Sequence, residues 1–226
     1  MAVIQSGAAS TTLLTVDPTF VAARISDHPP EILGAYSMGL TSGALTTAAA
    51  GSTVFSFRWA PATTTQLCMV RRVEIGFATT TAFGTAQALQ YSMQIARQFT
   101  ASDTGGTAAL FTQTNTGKQR TTMPTSAFAG GGQLMIANTG ANSAGTRTLD
   151  TQAIGFVQGA STAIGTVLTS TPIFQHSPGD YPLIFANNEG FIINNVTTMG
   201  ATGVINLTVN VEWMELAATT GNAIAY

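Results

Sequence analysis

The residues that could do chemistry are few and scattered. Asp103-Thr104-Gly105 matches the triplet that carries the catalytic carboxylate of aspartic proteases. That chemistry needs two carboxylates sharing one proton. No second triplet exists, and small polar residues precede Asp103 where an apolar strand would deliver it, so the triplet reads as a turn. His176 lies close to Asp180 and Ser177 in Gln-His-Ser-Pro-Gly-Asp. A Ser–His–Asp site, however, requires convergence in space and an oxyanion hole, and no Gly-x-Ser-x-Gly elbow accompanies it. His28 is the other imidazole, and neither histidine has metal-ligand spacing. Glu212 and Glu215 fall three apart, which on a strand sends them to opposite faces rather than across a sugar. Both are expected at the surface end of that strand. Gly131-Gly132-Gln133 and Gly117-Lys118 resemble a release-factor tripeptide and a fragment of a phosphate loop. The first runs straight into Leu-Met-Ile-Ala, and the second lacks the Ser/Thr that completes a P-loop. Asn195 and Asn206 head glycosylation triplets, which carry no meaning without a secretory signal. Catalytic, cofactor-binding and metal-binding residues are therefore all assigned as none, and the protein is expected not to be an enzyme.

The elements that would position such groups are strands. Ile205, Leu207, Val209, Val211 and Trp213 alternate with Asn206, Thr208, Asn210 and Glu212, the period-two signature of a half-buried strand. Leu89, Tyr91, Met93, Ile95 and Phe99 form a second apolar face opposite Gln90, Ser92, Gln94 and Gln98. Arg97 interrupts that face, and its stem is placed along the core edge with the guanidinium at the rim. Phe55, Phe57 and Trp59, and then Val73, Ile75 and Phe77 with Arg72 and Glu74 opposed, add two more. Less regular strands are placed at Gln133–Ala137, Gly145–Val157, Tyr181–Ala186 and Gly190–Val196. About eight strands between turn-rich segments point to an all-β fold: an antiparallel β-sandwich of jelly-roll type. Helical signals are confined to single turns at Pro124–Phe128 and Asp17–Ile25, the latter with Asp17 as N-cap and Pro18 following.

Residues 1–52 carry no strong alternation before Val54 and are read as an irregular lead-in. It is either an arm reaching a neighbouring subunit or a loop on its own domain. The sandwich is placed at 53–216 and a tail at 217–226.

Composition bounds the partners. The chain has 226 residues, 45% hydrophobic and only 8% charged, with eight Lys and Arg against ten Asp and Glu. Soluble domains average roughly 25% charged residues. A net charge of −2 gives no basic surface for nucleic acid, so no nucleic-acid partner is expected. No uninterrupted apolar run is long enough for a membrane helix, so no membrane partner is expected either. One cysteine, Cys68, excludes an internal disulfide. Met1–Ser10 has neither the basic region nor the apolar block of a secretory signal, so synthesis and folding in a cytoplasm are expected.

Several segments together resemble virion proteins of tailed bacteriophages, in particular small all-β proteins that decorate or cement the head. They are His28-Pro29-Pro30-Glu31 and its Gly/Ala/Thr sequel, Phe55–Trp59, Ala96–Gly106, Gly145–Asp150, and Pro182–Phe191 leading into the Trp213 strand. The resemblance implies a structural place in the particle, on the capsid surface, after synthesis in the host cytoplasm. It implies binding to the major capsid protein and to copies of itself as a homotrimer, without cofactors. Alternatives are a tail or fibre component, and a carbohydrate-binding jelly-roll module using exposed aromatics. Trp59 and Trp213, the only tryptophans, sit at alternation positions that belong to a core.

Overall fold

A computed structural model describes residues 16–17, 22–23, 32–111, 117–177 and 180–217. Two units separate by compactness, Met1–Pro30 and Glu31–Tyr226. In the first, β1 (Val16–Asp17) pairs antiparallel with β2 (Ala22–Ala23). A ladder thus stands where a short helix was expected. Asp-Pro opens a turn as readily as a helix, and no amphipathic stripe is present to favour the helix.

The second unit is a β-sandwich. Its strands are β3 (Ile32–Thr41), β4 (Thr53–Trp59), β5 (Leu67–Thr81), β6 (Gln87–Arg97), β7 (Gly106–Ala108) and β8 (Gln133–Ala137). They continue with β9 (Thr148–Ser161), β10 (Val167–Gln175), β11 (Leu183–Phe185), β12 (Glu189–Asn195) and β13 (Val204–Leu216). The first sheet runs β10-β5-β13-β3, with β11 also paired to β5; the second runs β7-β8-β4-β12-β6-β9. Every pairing is antiparallel.

Period-two alternation fills the space between the sheets. Ile205, Leu207, Val209, Val211 and Trp213 of β13 are all buried, opposite Phe55, Phe57, Leu89, Tyr91, Met93 and Phe191 of the second sheet. Phe57 stacks on Phe191 at 4.9 Å and meets Phe128 edge-on at 4.8 Å, while Trp213 stacks on Tyr36 at 5.6 Å. Such pairs add about 0.5–1.5 kcal/mol each beyond the area they bury. Both tryptophans are in this core, as their alternation implies.

Three departures from the sequence reading have local causes. β3, which the absence of alternation had left in the lead-in, is hydrogen-bonded along β13 from Ile32 to Thr41. Both of its faces are partly covered: Tyr36 points into the main core, and Ala35 joins Met69, Met214 and Leu216 in a second cluster on the other face. A strand covered on two sides has no reason to alternate. β10 escaped notice because Thr169, Ser170, Thr171 and Pro172 interrupt it. Two breaks in its register against β5 accommodate the proline, as an edge strand permits. Phe99 leaves the face of Leu89 and Tyr91. Gln98 has a positive φ of 55°, which ends the alternation, and Phe99 packs with Ala96 and Ile192 on the outside of the second sheet. The expected turn at Pro124–Phe128 is a 3-10 turn, Ala127–Gly130, with Ser126 as its cap.

Candidate functional site

Among the described residues, three charged side chains are buried in two polar networks, and a depression opens on a sheet face. The first network lies outside the second sheet, where residues 98–108 and 138–147 fold over it. Asp103 and the Arg147 side chain are respectively 0% and 4% exposed and form an ion pair. The same carboxylate oxygen accepts from the Gly145 N–H at 2.8 Å. Arg147 also donates to Thr53 Oγ1 at 2.9 Å, and Thr53 donates to Asn194 Oδ1 at 3.0 Å. The Asn194 amide in turn donates to Gln94 Oε1 at 2.7 Å. The guanidinium caps the Phe99 ring at 5.5 Å. Thr104 bridges to Ser143 and Gly105, with a φ of 80°, bends the chain into β7, so the triplet lies in a bridged bend. The carboxylate faces an arginine and not a second carboxylate, so the pairing that aspartic-protease chemistry requires is not formed here. The partnership joins residues 44 apart and has no spacing signature.

The second network surrounds Glu215, which is 2% exposed, contrary to its expected place at the surface. Its carboxylate accepts from Ser126 Oγ, from the Ala127 N–H at 2.9 Å and from Trp213 Nε1 at 3.2 Å. Tyr36 Oη donates to Pro124 O at 2.9 Å just beyond. Residues 117–119 meanwhile pair along the edge of β3, with Ser37 N–H to Gly117 O at 2.7 Å and Gln119 N–H to Ala35 O at 3.1 Å. Segment 117–130 is therefore a strap across the β3 edge, pinned by Glu215 and by Phe128 in the aromatic core. Burial pushes the Glu215 carboxyl up from the usual carboxylate range, against the pull of Ser126, Ala127 and Trp213. Burial first, and then the Glu215 charge, also pushes up the Cys68 thiol, so this cysteine is unreactive.

An acid whose pKa is higher folded than unfolded holds more protons in the native state between those two values. Its contribution to stability is then present at low pH and is lost as pH rises through the folded pKa. Glu215→Gln removes that titration. The difference in urea midpoint between Glu215→Gln and the native chain is expected to grow in the variant's favour from pH 4.5 toward pH 8. A pH-independent difference would contradict this.

The depression holds about 200 Å3 on the outer face of the first sheet and is lined by Ser37, Gly39, Glu74, Asn210 and Glu212. A Cβ at Gly39 would collide with Asn210 Oδ1, so only glycine lets the two strands seat Asn210 there. Arg72 pairs with Glu74, and Ser170 Oγ donates to Glu74 Oε2 at 3.2 Å. The floor is hydrogen-bonding and mildly acidic, and no aromatic ring lines it.

The other candidates are not brought together. Glu212 lines the depression while Glu215 is buried against Ser126, so the two diverge as the strand geometry requires. His176 Nε2 meets the backbone carbonyl of Asp180 at 3.1 Å, not its carboxylate. Lys118 bridges to Tyr36 in the strap, Arg120 donates to Thr122 Oγ1 at 2.8 Å, and Gln133 begins β8. Arg97 is at the rim as expected, in ion pairs with Asp150 at 3.1 Å and Glu189 at 3.2 Å. Asn195 is fully buried and donates to Ala48 O at 3.0 Å. His28, residues 1–31 of the lead-in apart from its two short strands, and the tail beyond 217 lie outside the described residues. Among the described residues, no three His, Cys, Asp or Glu side chains cluster as metal ligands. The chain matches no family model, no curated protein and no solved structure.

Proposed function

We propose that this protein is a non-enzymatic structural component of a tailed-bacteriophage particle, which binds the major capsid protein and decorates the head. The observation that carries the reading is where the charges go. Asp103, Arg147 and Glu215 are buried, and Arg72, Arg97, Glu74, Asp150 and Glu189 are tied to one another in ion pairs. What faces outward is largely Thr and Ala with Gly, Gln and Ser, and no charged residue occurs from Thr151 to Gln175. Such a surface packs against neighbours without stripping water from ions, the costly part of making an interface.

The jelly-roll reading belongs to the same proposal. Its support is the order of the eight principal strands, β3, β4, β5, β6, β9, β10, β12 and β13. One sheet holds the first, eighth, third and sixth of them, and the other the second, seventh, fourth and fifth. Two interlocked Greek keys wind in this order, an architecture common among capsid and lectin domains.

Cryo-electron microscopy of intact particles tests the proposal. Density for the sandwich is expected on the head, and particles lacking the protein are expected to rupture at a lower temperature. Density confined to the tail, or particles that never bind the protein, would refute it. Carbohydrate binding is a second reading, favoured by the hydrogen-bonding floor of the depression. A glycan array in which Asn210→Ala loses a signal seen with the native chain would establish it.

A further inference from the structure

An open sheet edge is a template for another strand, and folded proteins block edges with covering loops, short strands, proline, bulges or charge. Three of the four edges of this sandwich are blocked. The strap covers β3, β7 is three residues long, and β10 carries Pro172 and two register breaks. The fourth edge is β9, fourteen residues long, which among the described residues pairs with β6 alone. Its breaks in register lie in the N-terminal half, where Ile154 is an extra residue between the partners of Met93 and Gln94. From Gly155 to Ser161 the ladder to β6 is unbroken, and this stretch contains neither charge nor proline. Phe156 stands outward from it, 59% exposed, beside exposed Gln158 and Ala160.

We propose that Gly155–Ser161 pairs antiparallel with the same stretch of a second copy about a twofold axis at Gln158, extending the second sheet across two molecules. About that axis Phe156 lies opposite Ala160 of the partner, Val157 opposite Gly159, and Gly155 opposite Ser161. Each bulky side chain therefore meets a small one. The two Gln158 amides face each other, and each can donate and accept. Moving the axis one residue earlier would set Phe156 against Gln158 and run the pair into the bulge at Ile154. A twofold contact places like against like near its axis, so an ionised group there would meet its own copy, and this neutral stretch avoids that repulsion. The pairing gives an even-numbered assembly instead of the trimer that the resemblance implies.

Sedimentation velocity on the full chain tests it, with no particle required, so its outcome is independent of the decoration reading. The native chain is expected to be a dimer. Gln158→Lys sets two cations face to face and is expected to weaken the dimer by about tenfold or more, with the melting temperature of the monomer unchanged. Gln158→Cys is expected to form a disulfide between copies on mild oxidation, because directly opposed Cβ atoms lie about 4.5–5.5 Å apart. Ala160→Cys, which faces Phe156, is expected not to, and buried Cys68 does not compete. A native chain that sediments as a monomer or trimer, or a folded Gln158→Cys chain that stays uncrosslinked, would overturn the proposal.

Discussion

Asp103→Ala is expected to lower the unfolding free energy by about 3–5 kcal/mol, because it leaves the Arg147 guanidinium buried without its counter-charge. With that side chain only 4% exposed, water cannot replace the lost carboxylate without opening the segment above the second sheet. The Gly145 N–H also loses its acceptor, a further reason for the large effect. The double variant Asp103→Leu with Arg147→Met removes both charges together. It is expected to recover most of the loss, since a well-packed apolar pair often matches a buried ion pair. Denaturant unfolding of Asp103→Leu, Arg147→Met and the double variant measures the coupling. A double variant no more stable than Asp103→Ala would show that packing, not the unpaired charge, sets the cost.

Trp213→Ala is the second large effect, expected to cost about 3–5 kcal/mol. The indole is 1% exposed and touches the rings of Tyr36, Phe57, Phe111 and Phe128, so its removal leaves a void that four aromatic neighbours cannot fill together. It also takes away the Nε1–H donor to Glu215. For a domain of this size the loss corresponds to a fall of roughly 10 °C in melting temperature. Trp213→Phe keeps most of the packing and is expected to lie much closer to the native chain. Equal losses for the two variants would place the effect in the hydrogen bond instead of the cavity.

What could be read from residue order follows the physics of each strand. β13, β4, β6 and the central part of β5 have one face on the core and one on polar surroundings, so alternation exposes them. β3 is covered on both faces, and β10 is an edge strand bent around Pro172, so neither writes a period into its residues. The polar networks were harder to foresee. The residues around Asp103 read as a turn, and nothing near them announces a partner at Arg147. Glu215 reads as a surface residue because carboxylates usually are. The available signal was its setting between Trp213, Met214 and Leu216, an apolar run too dense for a solvent-facing end. In the depression Gly39 lies opposite Asn210, a pairing that only the register between β3 and β13 reveals.

That register also governs how the chain reaches its native state. β13 lies between β3 and β5, so the first sheet has no middle until residue 216 has been synthesised. Until then, the facing edges of β3 and β5 remain unsatisfied, separated by a missing slat. Contacts spanning this much of the chain make folding slow and leave sticky intermediates open to aggregation. Loss of even the last few residues of β13 would therefore be felt first as poor yield of folded protein.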